Sequence, residues 1–92
     1  MKIRCYAYFR DIMGSNAFEY TRPAATLGDL LADFSGRYGQ PFRKWVYEAD
    51  GKTFSHMVIL LINGRDARDL QGLDTPLSPE DTVVFFPPLA GG

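Results

Sequence analysis

Ile3, Cys5, Ala7 and Phe9 alternate with Arg4, Tyr6, Tyr8 and Arg10 at the head of the chain. This period of two predicts a strand over residues 3–10 with one buried face. Residues 11–16, with Gly14, carry turn chemistry. Residues 17–21 then alternate again, with Phe18 and Tyr20 on one face and Glu19 on the other, so the first two strands read as a hairpin. The period then changes. Leu27, Leu30, Leu31, Phe34 and Tyr38 follow the i, i+3, i+4, i+7, i+11 stripe of a half-buried helix. Thr26 is a natural N-cap with Asp29 three residues on, close to a capping box, and Gly39 and Pro41 end the helix. Gly28 and Gly36 each weaken it by up to about 1 kcal/mol relative to Ala, so tertiary packing has to hold it.

Beyond the helix, Phe42, Trp45, Val46 and Tyr47 are apolar and Asp50-Gly51 is a two-residue turn signal. A helical turn leading into a hairpin is expected over residues 40–55. Residues 56–62 read as a strand apolar on both faces, Asn63-Gly64 as a second hairpin turn, and residues 65–68 as a short polar return strand. Residues 69–81 form a loop with room for a short 3₁₀ turn, and residues 82–86 are the last strand, stopped by Pro87-Pro88. The order is β-β-α-β-β-β. One main amphipathic helix covering one face of a mixed four- to five-stranded sheet is an α+β arrangement of β-grasp type. If the first and last strands pair in the middle, it is a ubiquitin-like roll.

Composition narrows the function. Ninety-two residues make one small domain, and 46% apolar residues against 23% charged is a globular balance. A net charge of −1 leaves no cationic excess to neutralise phosphates, which argues against a nucleic-acid partner. One Cys and one His supply neither a disulfide framework nor a Cys/His metal site, so no metal is expected. The first residues lack the apolar core of a signal peptide. The longest apolar run, residues 57–62, is far short of a membrane span. No membrane partner and a cytoplasmic location are therefore expected, with Cys5 a reduced, core-facing thiol. His56 opens a strand without a second ligand nearby and reads as structural. Asp66, Asp69 and Asp74 lack the spacing of a Ca²⁺ loop and read as solvated turn residues.

The end of the chain carries the chemistry: Phe85-Phe86-Pro87-Pro88-Leu89-Ala90-Gly91-Gly92. A Gly-Gly end has no packing value and, alone, is equally compatible with a frayed terminus. It is also the slimmest thread a polypeptide can make. A six-residue tail over 87–92, stiffened by prolines at its root, reaches at most roughly 20 Å from a domain over residues 1–86. Its terminal carboxylate would be the reactive group. Carboxylates are inert acyl donors until activated, and the chain has neither G-x-x-x-x-G-K-[ST] nor G-x-G-x-x-G for binding ATP. No cofactor is expected on this chain; ATP would be used by an activating partner.

In Tyr6-Ala7-Tyr8-Phe9-Arg10-Asp11-Ile12-Met13-Gly14, in Ile62-Asn63-Gly64 and in Asp74-Thr75-Pro76-Leu77-Ser78-Pro79-Glu80-Asp81 before the Phe-Phe-Pro-Pro-Leu-Ala-Gly-Gly ending, the chain resembles the MoaD/ThiS family of β-grasp sulfur carriers. Within that family it is most like the small subunit of molybdopterin synthase. Ser78-Pro79-Glu80-Asp81 stands where the family usually has an Asp-Gly-Asp type turn. The added length over residues 40–55 resembles a longer, archaeal-type branch that includes carriers serving cysteine or other sulfur pathways. The resemblance implies that a ubiquitin-activating-enzyme-like adenylyltransferase adenylates Gly92, and that sulfur replaces AMP to leave a thiocarboxylate. A synthase large subunit then receives the tail, with molybdopterin or tungstopterin as product. Gly91 would supply slimness, and Leu89 and Ala90 would be small or apolar channel contacts. The chain itself would be no enzyme.

Docking needs a surface, and the alternation offers one. If packing on the helix claims Val83 and Phe85, then Val84 and Phe86 face outward beside Tyr6 and Tyr8 of the first strand, an aromatic patch at the tail root. The resemblance supports Tyr6 and Phe86 most directly. Other readings are a carrier for cysteine or another thio-metabolite, a ubiquitin-like modifier conjugated to lysines, and a plain interaction module. Lys2, Lys44 and Lys52 could accept such conjugation.

Overall fold

The computed structural model describes residues 1–87. Five strands, β1 (Lys2–Cys5), β2 (Ala17–Glu19), β3 (Ile59–Ile62), β4 (Arg65–Asp66) and β5 (Thr82–Phe86), form one mixed sheet in the order β2-β1-β5-β3-β4. β1 and β5 pair in parallel at its centre, with Ile3 opposite Val83 and Cys5 opposite Phe85. Both flanking pairs, β1–β2 and β3–β5, are antiparallel. Pairing of the first strand with the last makes the sheet a ubiquitin-like β-grasp, and the main helix, α2 (Leu27–Tyr38), covers one face of it.

The strand expected over residues 3–10 ends at Cys5. Residues 8–13 turn instead into a short helix, α1 (Tyr8–Met13), entered through Ala7 at φ 51° and left through Gly14 in the left-handed conformation. Phe9, Ile12 and Met13 stand at i, i+3, i+4, a helical stripe that begins at the residue where the strand alternation ends. The buried aromatic partners of Phe9 decide between them. Its ring meets Phe42 and Phe85, at centroid distances of 6.1 and 5.5 Å.

α2 begins with the reciprocal capping box: the Asp29 amide donates to Thr26 Oγ1, and the Thr26 amide donates to the Asp29 carboxylate. The helical turn expected after residue 40 is α3 (Gln40–Val46), and the hairpin after it is closed by a bridge between Tyr47 and Phe54. Asn63 and Gly64 both take positive φ, 53° and 85°, as a tight hairpin turn between β3 and β4 requires. The Asn63 side chain also ties that turn to the start of β5, donating to Asp81 Oδ1 and accepting from the Thr82 amide. The polar return strand is only Arg65–Asp66, and two 3₁₀ turns, Ala67–Asp69 and Gly72–Asp74, occupy the following loop. The Ser78-Pro79-Glu80-Asp81 segment closes as a turn in which the Asp81 amide reaches the Ser78 carbonyl at 3.0 Å.

Aromatic rings fill the space between sheet and helices. Phe34 is fully buried and packs against Phe18, Tyr20, Tyr38, Phe42 and Phe85. The Tyr20 hydroxyl donates to Asp33 at 2.7 Å, and burial together with that bond pushes its pKa to about 12.

The two helical glycines have opposite surroundings. A Cβ on Gly28 would meet the Leu73 carbonyl oxygen at 3.1 Å, where the second 3₁₀ turn packs on α2; one on Gly36 would meet nothing within 4 Å. Gly36→Ala is therefore expected to stabilise the protein by up to about 1 kcal/mol, whereas Gly28→Ala loses that gain to the close approach. Urea titration of the two variants checks the contrast.

Candidate functional site

The sheet has two unlike faces. Ile3, Cys5, Val83, Phe85, Leu60 and Ile62 point into the core. The intervening residues of the same three strands point away from it, and their register places them side by side. Val84 lies between Arg4 and Leu61, and Phe86 lies opposite Ile59. At the end of that row, the Tyr6 ring stacks on Phe86 at 4.6 Å between centroids and 7° between planes. Tyr6 remains 43% exposed, and Val84, Phe86, Ile59 and Leu61 are half-buried. Lys2 and Arg4 line the β1 side of this apolar face, exposed and with no carboxylate partner among the described residues.

Of the four residues expected to form the patch, the structure brings together three, Tyr6, Val84 and Phe86. Tyr8 is a correction. Because β1 ends at Cys5, Tyr8 sits on α1 and stacks on Trp45 of α3 at 5.3 Å, not on the sheet. Ile59 and Leu61 extend the face. Their signal was the apolar-both-sides run of the third strand, which did not say which residues faced outward.

β5 places the root of the tail. Phe86 belongs to the central strand of the sheet, with its side chain on the open face, and Pro87 follows it half-buried. Pro88, Leu89, Ala90, Gly91 and Gly92, and with them the expected reactive terminus and channel contacts, lie outside the described residues.

Cys5 is the chain's one thiol. It is fully buried, its Sγ lies 3.0 Å from Met13 Sδ, and burial pushes its pKa to about 11. A thiol so placed is protonated and shielded at neutral pH, unsuited to relaying sulfur. Among the described residues, no group of three His, Cys, Asp or Glu side chains is placed to hold a metal ion, and no helix is long and apolar enough to cross a membrane.

Residues 3–92 match the family model described as the ThiS family. Small archaeal modifier protein 3 of Haloferax volcanii is 32% identical over 93 residues, covering all of this chain and 98% of the relative. Among solved structures, the HVO 2177 protein of Haloferax volcanii superposes with a TM-score of 0.81 at 34% identity, over 99% of this chain and 84% of that one. A putative molybdopterin converting factor subunit 1 from Pyrococcus furiosus does so with a TM-score of 0.70 at 28% identity, over 96% and 95%.

Proposed function

The chain belongs to the ThiS family of ubiquitin-like sulfur carriers and modifiers, and from that premise we propose that it works as a sulfur carrier through its last residue. The Gly92 carboxylate attacks the α-phosphate of ATP bound on an adenylyltransferase partner, pyrophosphate leaves, and a sulfur donor then displaces AMP. The product is a thiocarboxylate, ionised near neutrality and a better nucleophile than the carboxylate it replaces. A synthase large subunit is the proposed recipient, with a pterin precursor of molybdopterin or tungstopterin type as acceptor. The Pyrococcus furiosus relative, named as a molybdopterin converting factor subunit, supports that acceptor.

The observation that carries the reading is the junction of tail and sheet. The Pro-Pro-Leu-Ala-Gly-Gly segment follows directly on a central strand whose outer face is apolar, aromatic at the tail root and fringed by Lys2 and Arg4. A partner that grips this face fixes where the thread starts, and orientation of that kind accounts for much of a catalyst's advantage. The matching partner surface is apolar at its centre, with carboxylates facing Lys2 and Arg4.

A second reading, a ubiquitin-like modifier joined to lysines through the same activated glycine, is favoured by the 32% identity to an archaeal modifier protein. Both share the first chemical step and part at the second. Intact mass after incubation with ATP, a cognate activating enzyme and a sulfide source separates them. Exchange of one oxygen for sulfur marks the carrier, and lysine-linked high-mass species mark the modifier. An unchanged mass with an activating enzyme that loads another carrier of the family in parallel sinks both.

A further inference from the structure

Among the described residues three large hydrophobic side chains are conspicuously exposed, and of these Tyr6 belongs to the sheet face. The other two, Tyr8 at 56% and Met57 at 55%, lie by Trp45. Tyr8 stacks on it at 10° between planes. Met57 shares with it a cleft of about 510 Å³ between α3 and the hairpin that follows. On the other side of Trp45, a groove of about 380 Å³ runs between α1 and α3, floored by Ile12 and Pro41. The indole and Lys44 line both depressions, so Trp45 is the ridge between them.

The charges around this ledge are unbalanced in availability. Each nearby carboxylate is engaged within the chain. Glu48 meets His56 at 2.7 Å, Asp50 accepts from its own turn at Lys52 and Thr53, and Asp11 faces Arg10 at 3.8 Å. The cations are not so matched. Lys44 sits 5.8 Å over the Trp45 ring, and the Arg43 guanidinium reaches only the Ser35 carbonyl; neither has a carboxylate partner among the described residues.

We propose that the Tyr8–Trp45–Met57 ledge is a second docking surface, which takes a partner's peptide segment carrying an apolar side chain flanked by Asp or Glu. The apolar side chain lies against the Trp45 ridge, and the acidic groups face Lys44 and Arg43. Trp and Tyr are enriched among the residues that anchor protein contacts, an exposed apolar patch marks such a contact, and a cationic rim selects the sign of what approaches. The ledge belongs to the helical layer and the patch at Tyr6 and Phe86 to the open sheet face. One molecule can thus present its tail to an activating or acceptor enzyme while a second contact is held elsewhere. This surface does not depend on the chemistry of Gly92.

Trp45 is the chain's one tryptophan and so reports on its own site. The full chain is titrated with a synthetic peptide of alternating Glu and Leu around a central Phe, and with its Lys-for-Glu counterpart, while indole fluorescence is followed. Saturable change with the acidic peptide alone is expected, weakening as salt is added. Lys44→Glu is expected to weaken binding about fivefold, the upper end for an exposed ion pair, and Tyr8→Ala about tenfold. Both side chains are exposed, so both variants should keep the wild-type circular dichroism. Amide shifts should move around residues 8, 44, 45 and 57. No saturation at millimolar peptide, equal response to the basic peptide, indifference to Lys44→Glu, or shifts confined to the sheet face would each overturn the proposal. A concentration-dependent dimer that buries Trp45 without peptide would overturn it too, and assign the ledge to a second copy.

Discussion

Deleting Gly91 and Gly92 is expected to abolish sulfur loading, by well over a hundredfold, while leaving the thermal midpoint where it was. Each residue removed shortens an extended chain by about 3.5 Å, and a misplacement of about 1 Å at a reacting centre already costs on the order of a hundredfold. Stability should not change, because the buried core among the described residues runs from Ile3 to Phe85 and glycine has no side chain to add to it. Phe86→Ser should behave differently. It disrupts the Tyr6 stack and the docking face but leaves the thread its full length, so the KM for the carrier rises while kcat is kept. Steady-state adenylation assays on the two variants distinguish them. If the truncated chain were loaded at the normal rate, the reactive group would not be Gly92.

Phe34→Ala is expected to destabilise the fold by about 3–5 kcal/mol, the range for removing a buried aromatic ring. A domain of this length has about 5–15 kcal/mol in total, so the variant should melt lower by roughly 15–30 °C. Phe34 is singled out because its ring meets Tyr20, Phe42 and Phe85 at once, joining the edge after β2, α3 and the central strand. Phe34→Leu retains most of the volume and should recover most of the loss. Denaturant unfolding followed by circular dichroism gives both numbers. A loss under about 1 kcal/mol for Phe34→Ala would mean that the aromatic cluster does not hold sheet and helices together.

The central helix and the last strand were legible in the sequence because each carries a strong, uninterrupted period with a stop signal at its end. Thr26 to Gly39 is framed by a capping box and a glycine cap, and Thr82–Phe86 by a turn and Pro87. The first segment was not legible past Cys5. Ile3 to Phe9 alternates and Phe9 to Met13 fits a helix, so the two local patterns meet at Phe9 and neither fixes where the strand ends. What turns the chain is the buried position open to Phe9 between Phe42 and Phe85, which come from more than 30 residues away. The same turn removed Tyr8 from the expected patch and set it on Trp45, a pairing between residues 37 apart that no local period encodes.

By itself the sequence determined the elements with clean periods, the two alternating sets of the last strand, and the poverty of catalytic groups that puts the proposed chemistry on the terminal carboxylate. Tertiary structure alone decided the parallel pairing of β1 with β5, the addition of Ile59 and Leu61 to the outer face, and the separation of two aromatic surfaces, one around Phe86 and one around Trp45. The reason is range. Capping, alternation and helical stripes are written among residues within a few positions of one another. Strand order and cross-element stacking depend on which buried sites remain open once distant segments have met.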